Sequence, residues 1–190
     1  MNNKSVLFVV DMNNGFCKKG ALASERVESI IEDIVEVIEK FKEKNMPIIA
    51  FTDCHNDDAV EFKSFPPHCI EGTAEVDIVS EIKAFEKNYT LIKKNSTNAF
   101  HEEETQKIIN ELIKNGYENW YITGCVTDIC VKQFALTLKT YFNTKNIDMN
   151  VIIPKNCVET FDGPGHDADE MNKYSFMEMS QAGIVIVDRL

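Results

Sequence analysis

Apolar positions along the chain fall into two alternating patterns. Short runs rich in Val, Ile and aromatic residues occupy 6–10, 47–52, 90–92, 120–123, 149–153 and 184–187. Their length and unbroken apolar character suit strands buried on both faces. Amphipathic stretches lie between them. Val27, Ile30, Ile31, Ile34 and Ile38 recur at helical spacing, as do Ile108, Ile109 and Leu112. Asn115-Gly116 after the second set reads as a helix stop. Further helices are predicted over 128–141 and 167–182. Strand–helix alternation implies right-handed crossovers and a parallel sheet with helices on both faces. There is no internal repeat and no linker composition, so 1–190 reads as a single domain.

In open parallel sheets, ligands bind beyond the carboxyl ends of the strands. Asp11 follows the first apolar run, Asp53 the second, Lys94 the third and Cys130 the fourth. Four strands thus deliver polar, reactive side chains to one edge. The stretch 53–72 breaks the rhythm. It is polar, carries Pro66-Pro67 and has no clear period, and a loop of that length in a compact domain is usually functional.

Composition narrows the function classes. The chain has 190 residues, 44% of them hydrophobic, which fits one globular domain with a sizeable core. Its formal net charge is -11, a surface that repels phosphate backbones and anionic lipid, so neither nucleic acid nor membrane is an expected partner. No apolar run reaches the roughly 18 residues of a transmembrane helix. The N-terminus, Met1-Asn2-Asn3-Lys4, leads straight into a run too short for a signal-peptide core. Six cysteines are too sparse for a disulfide scaffold and read as thiols, so a cytoplasmic chain is expected, with homo-oligomer formation left open.

Cys130 lies in Thr123-Gly124-Cys125-Val126-Thr127-Asp128-Ile129-Cys130-Val131, where a strand turns into a helix. A thiol there sees the positive end of the helix dipole, and backbone N–H groups at such an end stabilise an oxyanion. A nearby Lys94 ammonium would lower the thiol pKa from about 8.5 toward roughly 6–7. Asp11 is placed to take the thiol proton and return it to a leaving amine. The alternative is a buried structural cysteine. A second constellation comprises Asp53, His55, Glu61 and His68. Carboxylates with two imidazoles suit zinc, iron or manganese, with positions left for water or substrate. A closed structural zinc site of Cys54, His55, His68 and Cys69 is the rival, although each Cys is adjacent to its His and the paired spacing is missing. His101 and His166 read as solvated, and Phe16 and Phe65 as either core plugs or a stacking surface for a flat substrate.

These residues resemble a known family. Val9-Val10-Asp11-Met12-Asn13-Asn14-Gly15-Phe16 with Gly20-Ala21-Leu22 resembles the opening of the isochorismatase-like cysteine hydrolases. Lys94 with Asn98-Ala99-Phe100 resembles the family's lysine segment, and Thr123-Gly124 to Val131 its nucleophile turn. The resemblance implies a three-layer α/β/α, Rossmann-like fold with a six-stranded parallel sheet. It implies Asp11, Lys94 and Cys130 as catalytic residues, a cis peptide at Cys125-Val126, and an oxyanion hole from the Val126 and Cys130 N–H groups. Phe65-Pro66-Pro67-His68-Cys69 followed by Gly72-Thr73 is similar to the nicotinamidase group within that family. That likeness implies a divalent metal, zinc first with iron or manganese as alternatives, on Asp53, His55 and His68. Glu61, seven residues before His68, matches the acidic form of a variable fourth ligand. Phe16, Phe65, Cys125 and Ile129 are the implied contacts of a small amide substrate. Asn13 stands where the family usually has Gln, and Ile129 where some nicotinamidases have His. Related readings are an amidase for N-carbamoyl or ureido substrates, isochorismate vinyl-ether cleavage, and a catalytically silent binding subunit.

Overall fold

The computed structural model describes residues 4–190; the start of the expected 1–190 domain, residues 1–3, lies outside the described residues. One parallel sheet contains β1 (Ser5–Val10), β2 (Ile48–Asp53), β3 (Thr90–Lys94), β4 (Asn119–Cys125), β5 (Asn150–Pro154), β6 (Val158–Glu159) and β7 (Val185–Val187). The order is β3-β2-β1-β4-β5-β7, with β6 beside the end of β4. The sheet therefore has seven strands among the described residues, where six were expected. The extra one, β6, is two residues long, too short to leave a periodic signature, and pairs Gly124 with Val158 and Cys125 with Glu159.

Among the described residues seven α-helical segments accompany the sheet: α1 (Asn14–Cys17), α2 (Glu25–Ser29), α3 (Ile31–Glu43), α4 (Ser80–Lys83), α5 (Glu103–Lys114), α6 (Lys132–Thr144) and α7 (Ala168–Gln181). Side chains of β1 alternate between two core layers. Val6, Phe8 and Val10 pack with Ile109 of α5 and with Phe134 and Leu138 of α6. Leu7 and Val9 pack with Ile34, Ile38 and Phe41 of α3. Both faces are covered, which is why the apolar run of β1 has no polar alternation. The edge strands depart from the expectation of full burial: Leu91 of β3 is 45% and Val185 of β7 is 44% exposed. The helical pattern from Val27 to Ile38 is interrupted at Ile30, whose ψ of -1° separates α2 from α3.

Strand order reverses between β1 and β4, and the crevice beyond their carboxyl ends is where this fold class binds ligands. Gly124 makes the junction possible. It sits at φ 110°, and a Cβ there would lie 2.0 Å from the Val10 carbonyl oxygen. The expected cis peptide follows at Cys125-Val126. The chain then turns through Thr127–Val131 as one π-helical turn, closed by the Val131 N–H donating to Val126 O at 3.2 Å, before α6 begins. The 53–72 loop folds back on itself through a bridge between His55 and Ile70 and a short 3-10 turn at Val60–Lys63. No helix among the described residues is long and apolar enough to cross a membrane.

Candidate active site

The structure brings the sequence-predicted reactive residues together at the β1/β4 crevice. Asp53 and Lys94 are register partners at the ends of β2 and β3. The fully buried Lys94 ammonium lies 2.8 Å from Asp11 Oδ2 and donates to Asp53 Oδ1 and to Ser96 O at 3.0 Å. It is 4.0 Å from Cys130 Sγ. One oxygen of Asp11, one of Asp53 and the Cys130 sulfur lie within 4.8 Å of one another, and the ammonium supplies the positive charge such a group requires. Asp11 is held at φ 53°, a left-handed conformation that non-glycine residues adopt mainly where the surroundings enforce it.

Burial dominates the proton affinities of this cluster. It pushes the Asp11 carboxyl up to about 7, against the opposing pull of Lys94 and with a further push from Asp53. Burial acts upward on Asp53 too, but the Lys94 ammonium, with the His55 and His68 rings beside it, outweighs it and holds that carboxylate well below its usual range. Burial also drives the Cys130 thiol well up, and Lys94 does not offset this. The expected lowering of the thiol toward roughly 6–7 is therefore corrected. A lysine 4 Å away cannot compensate for full desolvation of a thiolate when two carboxylates share that lysine. The resting form is a thiol, and Asp11 is the group that titrates near neutrality.

Beside this cluster stand the four sequence-predicted metal ligands. His55 Nε2 is 3.7 Å from Asp53 Oδ2 and 3.8 Å from Glu61 Oε1, and His68 Nε2 is 3.6 Å from Asp53 Oδ2. Their ligand atoms all lie within 4.8 Å of one another. His55 Nδ1 is 2.9 Å from Asn95 Oδ1 and His68 Nδ1 is 2.8 Å from Pro66 O. Both partners are acceptors, so Nδ1 carries the hydrogen in each ring and Nε2 keeps its lone pair for the shared centre. His55 Nε2 is buried with no hydrogen-bond partner among the described residues. Two carboxylates and two imidazoles in this state are a fitting donor set for zinc, iron or manganese. The rival zinc site does not assemble: among the described residues neither Cys54 nor Cys69 joins the ligand group.

A cleft of about 460 Å³, counting its mouth, opens over both clusters. Phe16 and Phe65 line it as anticipated, with ring centroids 5.5 and 6.4 Å from the His68 ring, and Val126 and Ile129 line it near Cys130. Cys125 does not line it. Its Sγ donates to Asp11 O at 3.1 Å within the opposite core layer, so its assignment as a substrate contact is corrected. The sequence reading missed Thr97 and Phe161 in the cleft wall, and Asn95 and Pro66 behind the imidazoles. His101 is exposed, as anticipated. His166 is not simply solvated: it bonds Asp128 and Phe161 O.

Comparison with known proteins places the molecule. A family model described as an isochorismatase domain matches residues 5–189. The chain belongs to the isochorismatase family. Among its relatives in sequence is nicotinamidase 1 of Arabidopsis thaliana, 29% identical over 180 residues, which span 87% of this chain and 73% of that protein. The crystal structure of a nicotinamidase from Bacillus subtilis superposes with a TM-score of 0.82 at 24% identity, covering 97% of this chain and 99% of that one. A pyrazinamidase of Pyrococcus horikoshii, solved in complex with zinc, superposes with a TM-score of 0.74 at 26% identity, covering 97% and 98%. The α/β sheet with helices on both faces is thus the fold of this family of hydrolases.

Proposed function

We propose that this isochorismatase-family protein is a nicotinamidase, hydrolysing nicotinamide to nicotinate and ammonia through a thioester on Cys130. One observation carries the reading. Asp53 joins the two clusters, with Oδ1 on the Lys94 ammonium and Oδ2 facing the Nε2 atoms of His55 and His68. The cleft therefore offers a nucleophile and a ligand set side by side in one small space with aromatic walls, a fit for a flat ring carrying an amide.

In this mechanism Asp11 takes the Cys130 proton as sulfur attacks the amide carbon. The Val126 and Cys130 N–H groups hold the oxyanion. Asp11 then gives its proton to nitrogen as the carbon–nitrogen bond breaks and ammonia leaves. It next takes a proton from water, whose oxygen attacks the thioester carbon, and returns it to the departing sulfur. Lys94 balances the negative charge that moves between Asp11 and Cys130. Asp53, His55, Glu61 and His68 would hold a divalent ion, zinc the first choice, which would supply an electron-pair acceptor to the substrate ring. Phe16 and Phe65 flank the ring, and Ile129 shapes the cleft near the thiol. The six free thiols support a cytoplasmic site of action.

The test is ammonia release from a panel of nicotinamide, pyrazinamide and N-carbamoyl amides. The expected result is fastest turnover of nicotinamide. Turnover of carbamoyl amides alone would move the assignment to another amidase of the family.

A further inference from the structure

Behind the nucleophile turn lies a second cluster of titratable side chains that the mechanism does not use. Asp128 sits in that turn, two residues before Cys130. Its Oδ1 accepts the Thr160 hydroxyl at 2.6 Å, and its Oδ2 lies 2.9 Å from His166 Nε2. The other ring nitrogen, Nδ1, is 2.8 Å from Phe161 O. The His166 ring lies flat on the Phe161 ring, with centroids 4.0 Å apart and planes 2° from parallel. Phe161 in turn lines the cleft beside Val126 and Cys130.

Both partners of the imidazole are acceptors. A neutral imidazole has one N–H, so either tautomer would set a ring lone pair against the carboxylate or against the carbonyl. The imidazolium alone satisfies both, and a cation stacked on an aromatic face is further stabilised. We propose that His166 is a positioning residue: as an imidazolium it fastens segment 160–167, with its Phe161 cleft wall, to the nucleophile turn through Asp128, and so sets how tightly the cleft holds its amide.

The charged surroundings agree. Asp128 is the carboxylate facing the ring from the nucleophile turn. Asp162 and Asp167, on the segment itself, accept from the Ala168 and Glu170 N–H groups at the start of α7. Glu159 of β6 accepts from the Thr160 N–H and pairs with Arg26 of α2. Burial works against the charged ring, but Asp128 and the Phe161 carbonyl outweigh it and raise the proton affinity of His166 above the ordinary 6.5. Loss of the proton turns one hydrogen bond into a lone-pair contact and releases the wall.

The substrate readout rests on the nicotinamidase reading, so the test pairs it with readouts that need no substrate. Imidazole proton–nitrogen NMR should show wild-type His166 titrating above about 6.5. Asp128→Asn should bring it below, because the amide N–H donates to a neutral ring. Iodoacetamide should alkylate Cys130 faster in His166→Ala, whose cleft wall is unfastened. With nicotinamide, the wild-type KM should rise about tenfold as His166 loses its proton, the loss of one charge-assisted hydrogen bond, while kcat changes less. His166→Ala should show the raised KM at every pH, and His166→Gln, which keeps a donor for Asp128, should recover part of it. A wild-type midpoint at or below 6.5, unchanged alkylation in His166→Ala, or a KM flat through the His166 titration would each overturn the proposal. Absence of amide turnover would instead sink the nicotinamidase reading and leave the NMR and alkylation results to judge His166.

Discussion

The catalytic cluster and the ligand cluster share Asp53 but are built in opposite ways. Asp11, Asp53 and Lys94 stand at the ends of adjacent parallel strands, and one buried ammonium pairs with both carboxylates. His55, Glu61 and His68 stand on a loop, and their ligand atoms converge to within 4.8 Å of one another. A cluster paired through one ammonium and set on strands keeps its geometry through the sheet. A loop cluster whose lone pairs are held inward by Asn95 and Pro66 is arranged for something brought from outside. The first is suited to making and breaking bonds and the second to gripping.

The largest effect should come from breaking the strand-end cluster at its sulfur. Cys130→Ala should lose about four orders of magnitude in kcat, or about 5.5 kcal/mol of barrier. Its thermal melt should stay cooperative, because the sheet holds Asp11 and Lys94 in place without the sulfur. Steady-state assays and calorimetry on the variant check both halves. Near-normal turnover would remove Cys130 from the nucleophile role.

The two clusters were unequally legible in the sequence. Asp11, Asp53, Lys94 and Cys130 could be read because each terminates a buried apolar run, and parallel topology puts all such ends on one edge. His55 and His68 could be read from residue type and motif. The residues that aim them could not: Asn95 lies 40 positions from His55, and Pro66 acts through a carbonyl that every residue carries. Cys125 was misread because it neighbours the nucleophile turn in sequence while pointing into the other core layer. The two-residue β6 left no pattern, since it is set by its pairing with β4 and not by periodicity, and the break at Ile30 lies inside an unbroken helical spacing. Phe161 and His166 come to the cleft from the far end of the chain, beyond the reach of any local signal.

Removing the metal should produce the second-largest effect. Treatment with a strong chelator, monitored by atomic absorption, should lower kcat/KM for nicotinamide by about a hundredfold, and His68→Ala should mimic it. Most of the change should appear in KM, since the loop cluster grips and does not react. Some should appear in kcat, because Asp53 also bonds Lys94 and transmits the change in charge. Thermal melts should remain cooperative, as the core layers form without the 53–72 loop ligands. Full activity in metal-free protein would separate the two clusters functionally, and global unfolding would make the loop site a structural one.

The smallest effect probes the one carboxylate that the two clusters do not hold ionised. Burial raises Asp11 to about 7, while Asp53 is held ionised by Lys94, His55 and His68. Asp11 acts as base only without its proton, so kcat should fall about tenfold for each pH unit below 7 and level off above it. The stability signs are opposite for the two acids. Asp11, with a folded value above its unfolded 3.8, contributes stability that is full below about 4 and lost as pH rises through 7. Asp53, with a folded value below 3.8, contributes stability present above that point and lost as the solution becomes more acid. Asp11→Asn should therefore remove the loss of stability between about pH 4 and 7 and leave the acid-side loss untouched. In the same variant Cys130 alkylation at neutral pH should slow, since the buried thiol has lost the base that takes its proton. Matched pH profiles of activity, alkylation rate and melting temperature for the two proteins decide the matter. A wild-type profile flat from about pH 5.5 to 8 would show that the titrating base is not Asp11 and that burial does not set the pH response of the strand-end cluster.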